Sequence, residues 1–185
     1  DIIKEILTAS KLDDEKRLGE ILDEMRSRSR MRLEGASHSA AVARACSYFS
    51  PVRAFDDMTG GIEYFHFLEK TADAYSKDEK FRKELVRKLK ETAEKLFAAD
   101  NLMVGYTADE EGYKALPEEL KKFKAALSDK PSRRYAFEFV PELKNEGFKT
   151  SSKVNYVARC GSFDAEAYTG ALEVLKVIMN YEYLW

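Results

Sequence analysis

Two histidines are the only ones in this 185-residue sequence, and each follows a carboxylate at a spacing that could support chemistry. Glu34 precedes His38 by one helical turn, and Glu63 precedes His66 with the Glu-x-x-His spacing of carboxylate-bridged metal sites. Such a metal site needs a second copy of the motif and further converging carboxylates, and the sequence contains neither. His66 also lies among aromatic residues. We therefore expect His66 to be a partly buried histidine with one hydrogen-bond partner, not a metal ligand.

Two cysteines, Cys46 and Cys160, are the remaining candidates for redox or metal chemistry. They are more than 100 positions apart in the chain, so their spacing matches neither a zinc cluster nor a redox pair. We expect both to pack as small apolar residues, without a disulfide, in the cytoplasm or another reducing soluble compartment. The sequence also lacks a Gly-x-Ser-x-Gly elbow and both common phosphate-binding fingerprints. We assign no catalytic, cofactor-binding or metal-binding residue to this chain.

The composition is that of an ordinary soluble protein with much surface helix: hydrophobic residues make up 44% and charged residues 35%. The net charge of −2 provides no overall field for nucleic acid or an anionic membrane, and no apolar run approaches the ~20 residues of a membrane span. Four arginines alternate over 26–32, but alternate positions on a helix do not share one face. We predict a solvated face with local ion pairs there, and no nucleic-acid or membrane partner.

Apolar residues at spacings of three and four predict helices along most of the chain. One long helical run covers 13–48 and ends near Ser50, because Pro51 follows it. Another helix begins at Ser76 or Asp78 and reaches about residue 99. A further helix covers about 109–127, with an early proline that leaves a later start open.

Strand-like alternation appears in three shorter segments, 101–107, 135–140 and 149–160. The last segment alternates most regularly and is rich in β-branched and aromatic residues. Beyond it the period changes, and 164–185 has the apolar spacing of one buried helix face. We therefore predict an α+β fold made mostly of long helices, with a small antiparallel sheet.

Five stretches together resemble a known family: VNYVARCGSF (154–163), YTGAL (168–172), YEYLW (181–185), GGIEYFHFL (60–68) and GASHSA (35–40). They are similar to the C-terminal half of presequence-protease-like zinc metallopeptidases, a branch of the pitrilysin/insulinase superfamily. The resemblance covers nearly the whole chain and is most specific over its last ~35 residues. It implies that the chain is an incomplete piece of the pitrilysin-type homology domains. Residues 1–128 would end the third domain, 129–148 would be a linker, and 149–185 would begin the fourth.

The resemblance also implies a function. The parent enzyme would be a zinc metalloendopeptidase that degrades unstructured peptides inside a closed chamber. Its N-terminal half would hold zinc through a His-x-x-Glu-His motif, which this chain lacks. This segment would be inactive by itself and would supply chamber wall and closure contacts, with the N-terminal half and the peptide as partners. The alternatives are a standalone helical protein-protein interaction module and a catalytically inactive peptidase paralogue.

The ends of the sequence support the interpretation as a fragment. Position 1 is Asp, and the residues that follow it already have the apolar spacing of a helix. The sequence stops at large apolar residues that include Trp185. The apolar face of the last helix exceeds what the strand-like segments could cover. Because soluble monomers seldom expose such a face, we expect a homodimer through the C-terminal helix.

Overall fold

A computed structural model of the chain describes residues 2–130, 135–136, 138–140, 142–151, 153–162 and 168–183. Helices account for its regular structure. They are α1 (Ile2–Ala9), α2 (Glu15–Gly35), α3 (Ser37–Ser47), α4 (Pro51–Gly60), α5 (Ile62–Lys77), α6 (Glu79–Leu96), a 3-10 turn (Ala99–Asn101), α7 (Glu110–Lys124) and α8 (Gly170–Ile178), which continues into a π-helical turn (Met179–Tyr183). No helix in these ranges is both long enough and apolar enough to cross a lipid bilayer.

Side-chain caps explain where several helices begin. Asp78 accepts hydrogen bonds from the backbone N–H groups of Lys80 and Phe81 at the start of α6. Asp109 caps α7 in the same way, and Pro117 lies inside that helix. The predicted start of α6 at Asp78 is thus confirmed, whereas the proline does not delay the start of α7. Where we predicted one helix over 13–48, the structure has two, since the backbone leaves helical geometry at Ala36, directly after Gly35.

The predicted antiparallel sheet is wrong, because the described part of the chain contains no strand. In the described residues, β-type pairing is limited to an isolated parallel bridge between Ala98 and Ser128. A period-two pattern favours a pleated surface, but a sheet also needs a second strand to satisfy its backbone N–H and C=O groups. Segments 101–107 and 153–160 have no neighbouring strand among the residues that the structure describes, and most of their side chains are exposed: Met103 is 93% exposed and Val157 97%. Part of the third segment, 135–140, lies outside the described residues.

The last helix is also shorter than predicted. Residues 168 and 169 are not helical, and α8 begins at Gly170 with Thr169 at its N-cap position. The expected start at 164 and the end at 184–185 lie outside the described residues.

Chain contacts divide the molecule into two compact units. Unit 1 comprises Asp1–Met31 and Phe65–Glu138. Its core contains Leu22, Ala72 and Tyr75, and the partly buried Leu18, Phe81 and Leu85 pack against it. The Tyr75 hydroxyl donates a hydrogen bond of 2.9 Å to the backbone oxygen of Glu15, which satisfies the polar end of this aromatic side chain.

Unit 2 comprises Arg32–Tyr64 and Phe139–Trp185, and within it α3 packs against α4. Its buried side chains are largely polar: Ser47 and Asp57 accompany Ile62. The predicted boundaries at 128 and 148 concern homology domains, a different kind of division, and remain a prediction.

Candidate functional site

The two histidines lie in different units. His66 lies on α5, with its Nδ1 atom 3.5 Å from Glu69 Oε2 and its ring centroid 5.8 Å from that of Phe65. His38 lies in unit 2, where its ring centroid is 5.7 Å from that of Tyr156.

A metal centre is not supported by the residues that the structure describes. Within those ranges, no group of three or more histidine, cysteine, aspartate or glutamate side chains converges as metal ligands would. Zinc, which the family resemblance implies for a parent enzyme, normally takes four ligands, three of them from protein at a catalytic site. These residues therefore do not fit a zinc site, and no catalytic step through zinc follows from them.

Three of the four arginines at 26–32 form the predicted ion pairs, and the fourth, Arg32, donates to the backbone oxygen of Gly60. Arg26 contacts Asp23 and Asp73, Arg28 contacts Glu24, and Arg30 contacts Glu69. These pairs are exposed or half-exposed, so each contributes at most about 1 kcal/mol.

A different arginine, Arg44 on α3, is the centre of the best-defined polar cluster in unit 2. Its guanidinium donates to Glu146 at 2.8 and 3.1 Å and to Asp57 at 2.5 Å. Glu63 lies at 3.5 Å from the same group. The Arg44 side chain is only 13% exposed and that of Asp57 only 5%. We call these residues, together with Tyr48, the Arg44 cluster.

Asp57 has a second function within α4. Its Oδ1 atom accepts a hydrogen bond of 2.9 Å from the backbone N–H of Ile62, and its backbone oxygen accepts from Gly61. A Cβ atom at position 61 would lie 2.2 Å from Asp57 Oδ1 and 2.8 Å from Asp57 Cα. Only glycine therefore allows this close approach at the junction of α4 and α5. The buried carboxylate thus joins the helix end to the arginine.

Tyr48 completes the cluster. Its ring lies under the Arg44 guanidinium, with 5.2 Å from Cζ to the ring centroid, and its hydroxyl donates to Glu146 Oε2. The hydrogen bond from Arg44, with that from Tyr48, lowers the pKa of Glu146 to about 2. Burial, followed by the hydrogen bond to Glu146, raises the pKa of Tyr48 to about 12. The same contact with Glu146 raises the pKa of Arg44 above its already high range.

The Arg44 cluster is therefore built to hold charge in place. Three carboxylates surround one guanidinium and engage its Nε, Nη1 and Nη2 atoms, which leaves little donor capacity for an anionic ligand. Sequence reasoning missed Arg44, Asp57 and Glu146 as a group. Glu63 was singled out, but as a partner of His66. Since Arg44 and Glu146 are 102 positions apart, no local spacing could have joined them.

Next to the cluster, a pocket of about 350 Å³ opens between the C-terminal turn of α3 and two later segments. It is lined by Ala45, Tyr48, Phe49, Leu143, Lys144, Asn145, Ala158, Arg159 and Cys160. The Lys144 ammonium is 2.9 Å from a Glu142 carboxylate oxygen. Arg159 forms no ion pair within the described ranges. The lining of the pocket therefore combines aromatic and aliphatic side chains with two basic ones, Lys144 and Arg159.

The two cysteines, expected to be unrelated, meet beside this pocket. Cys46 Sγ and Cys160 Sγ are 2.8 Å apart, and both thiols are free and half-buried. Their separation along the chain had argued against any pairing, but contact in the fold depends on packing and not on sequence spacing.

Comparison with known proteins shows which family the chain resembles. A family model described as "Peptidase M 16C associated" matches residues 1–70. Protein HypA of Clostridium perfringens is 28% identical over 187 aligned residues, covering 100% of this chain and 19% of the relative. Presequence protease 1, chloroplastic/mitochondrial, of Arabidopsis thaliana is 24% identical, covering 97% of this chain and 17% of the relative. No solved structure is significantly similar.

The chain thus spans less than a fifth of the length of these curated relatives. The family-model match and the similarity to a presequence protease confirm the resemblance recognised in the sequence.

Proposed function

We propose that this chain is a non-catalytic segment from the C-terminal half of a zinc metalloendopeptidase that degrades unstructured peptides inside a closed chamber. One observation carries the proposal. The similarity to Protein HypA and to a presequence protease covers 97% or more of this chain but only 17–19% of those proteins. The chain therefore corresponds to one region of a much larger protein, and hydrolysis would depend on another region.

The fold of unit 2 supports a role in building a wall. The Arg44 cluster joins α3, the end of α4 and Glu146 through charge-assisted hydrogen bonds. Such contacts fix backbone geometry without leaving a group free for proton transfer. In the proposed enzyme, this segment contributes wall and closure contacts, while zinc is held by the N-terminal half. Its partners are that half and the enclosed peptide. The two free thiols fit the cytoplasm or another reducing compartment.

Metal and activity measurements test the proposal. We expect the 185-residue chain, after dialysis, to contain no stoichiometric zinc and to leave a fluorogenic peptide uncut. The longer reading frame that contains it should bind one zinc per chain and hydrolyse the same peptide. Stoichiometric zinc in the chain alone would overturn the non-catalytic assignment. A longer protein without peptidase activity would instead favour the inactive paralogue.

A second candidate, the helical interaction module, is favoured by α8. Apolar side chains are exposed around this helix, at Val174, Leu175, Val177 and Ile178. Each large aliphatic side chain left in water forgoes about 1.5–3 kcal/mol of burial. A partner surface is therefore expected, and we propose a homodimer through the C-terminal helix when the chain is alone.

Light scattering tests the homodimer. The chain should have a dimer mass at micromolar concentration, and Leu175→Asp should give a monomer because it places a charge in the apolar face. Met103→Asp is the matched control, since Met103 is exposed outside any helix. The proposal would be contradicted if the unmutated chain were a monomer, or if the Leu175→Asp variant were still a dimer.

A further inference from the structure

The contact between Cys46 and Cys160 is the feature of unit 2 that the proposed function does not use. Cys46 lies in the last turn of α3, and Cys160 lies in the 153–162 segment. Their Sγ atoms, 2.8 Å apart, are only about 0.8 Å farther from each other than in a disulfide bond. Forming that bond thus requires a small displacement, and it would tie two parts of unit 2 that are separated by 114 positions in the chain.

Small molecules can reach this pair. Cys160 lines the pocket of about 350 Å³, so a reagent in the pocket contacts its sulfur without unfolding of the unit. The volume is within the range of small-molecule sites. The aromatic side chains of Tyr48 and Phe49 provide apolar contact at the α3 side of the pocket.

The charges around the pocket do not favour one sign of reagent. Lys144 is paired with Glu142, and Arg53 is paired with Asp56. Arg44 is shared by three carboxylates, so the neighbouring cluster has no excess of positive charge. Access to the pocket and the closeness of the two sulfurs therefore determine which reagents react.

We propose that Cys46 and Cys160 form a dithiol modification site that takes small disulfides, with glutathione disulfide as the representative probe. The site is independent of the proposed peptidase function. Its product is an intramolecular disulfide that joins the end of α3 to the 153–162 segment.

The chemistry balances as ordinary thiol–disulfide exchange. The thiolate of Cys160 attacks one sulfur of the small disulfide, whose S–S bond breaks and releases one small thiol. A mixed disulfide now occupies Cys160. The Cys46 thiolate attacks the Cys160 sulfur, forms the protein disulfide and releases the second small thiol. Two electrons and two protons pass from the protein to the reagent, which is reduced to two thiols.

Equilibration in glutathione buffers tests proximity in the folded chain. The protein is held at a series of thiol-to-disulfide ratios in native buffer and in concentrated urea, alkylated, digested and analysed by mass spectrometry. We expect a crosslinked peptide containing Cys46 and Cys160, with an effective concentration at least about tenfold higher in native buffer than in urea. Cys46→Ala should stop at the mixed disulfide on Cys160. Equal effective concentrations, or only intermolecular disulfides, would overturn the proposal.

Discussion

The two units of this chain are stabilised by different physical means. Unit 1 buries apolar side chains from α2, α5 and α6, and its ion pairs lie on exposed helix faces. Unit 2 holds a largely buried arginine between the buried Asp57 and the partly exposed Glu146, and Ile62 is its buried hydrophobic residue in the described ranges. Apolar burial depends little on pH or salt, whereas a buried charge cluster depends on the protonation of each member. The difference indicates that the units should fail under different conditions.

The largest expected effect comes from removing the centre of the Arg44 cluster. Arg44→Met keeps the aliphatic stem but leaves the buried Asp57 carboxylate without its cation, which should cost about 3–5 kcal/mol in the stability of unit 2. Hydrogen exchange followed separately in peptides of each unit measures this loss. Arg53→Met is the matched control, because Arg53 makes an exposed pair with Asp56 and should cost less than about 1 kcal/mol. If Arg44→Met lowered the stability of unit 1 alone, the charge cluster would not be what stabilises unit 2.

The reciprocal change is in the apolar core of unit 1. Leu22→Ala removes a buried side chain that packs with Ala72 and Tyr75, and should cost about 2–4 kcal/mol. The loss should be the same at low and high salt, since no charge is involved. Met31→Ala, at an exposed position of the same helix, is the control. The free energy of unfolding of unit 1 is measured for both variants by urea denaturation, with hydrogen exchange in peptides of unit 1 as the signal. A strongly salt-dependent cost would show that the core is not what stabilises this unit.

Sequence reasoning succeeded where one local interaction determines the structure. Asp78 at the start of α6 is a side-chain cap whose partners are two and three residues away. The arginines of α2 illustrate the same point, because flanking acids such as Asp23 and Glu24 are within one turn. The family resemblance gave information about more distant parts of the chain, since it compares many positions at once.

Sequence reasoning failed where partners are distant. The alternation over 149–160 predicts a surface that suits a sheet, but it does not supply the neighbouring strand. The Arg44 cluster and the two cysteines depend on contacts across 102 and 114 positions. Neither residue spacing nor composition contains that information.

The most direct test of the difference between the units is acid sensitivity. The pKa of Glu146, about 2 in the folded chain against a usual 4.5, lies below its unfolded value. Its contribution is therefore fully present above about pH 4.5 and is lost as the pH falls towards 2. Because Glu146 is partly exposed, solvent screening limits this contribution to about 1–2 kcal/mol. Two exposed carboxylates of unit 1 also have lowered pKa values. The cause is a hydrogen bond from Lys83 for Glu79 and one from Arg87 for Glu84. High salt screens those exposed pairs more than the buried cluster.

The acid sensitivity of each unit can be measured as hydrogen-exchange protection factors of its peptides. The measurements are made at about pH 6 and about pH 3 in roughly 0.5 M salt. We predict that protection of unit 2 falls roughly 3- to 10-fold at the lower pH while that of unit 1 changes less. Glu146→Gln should reduce the acid dependence of unit 2. Equal losses in the two units, or an undiminished acid dependence in Glu146→Gln, would contradict the account of unit 2 as a fold stabilised by its charge cluster.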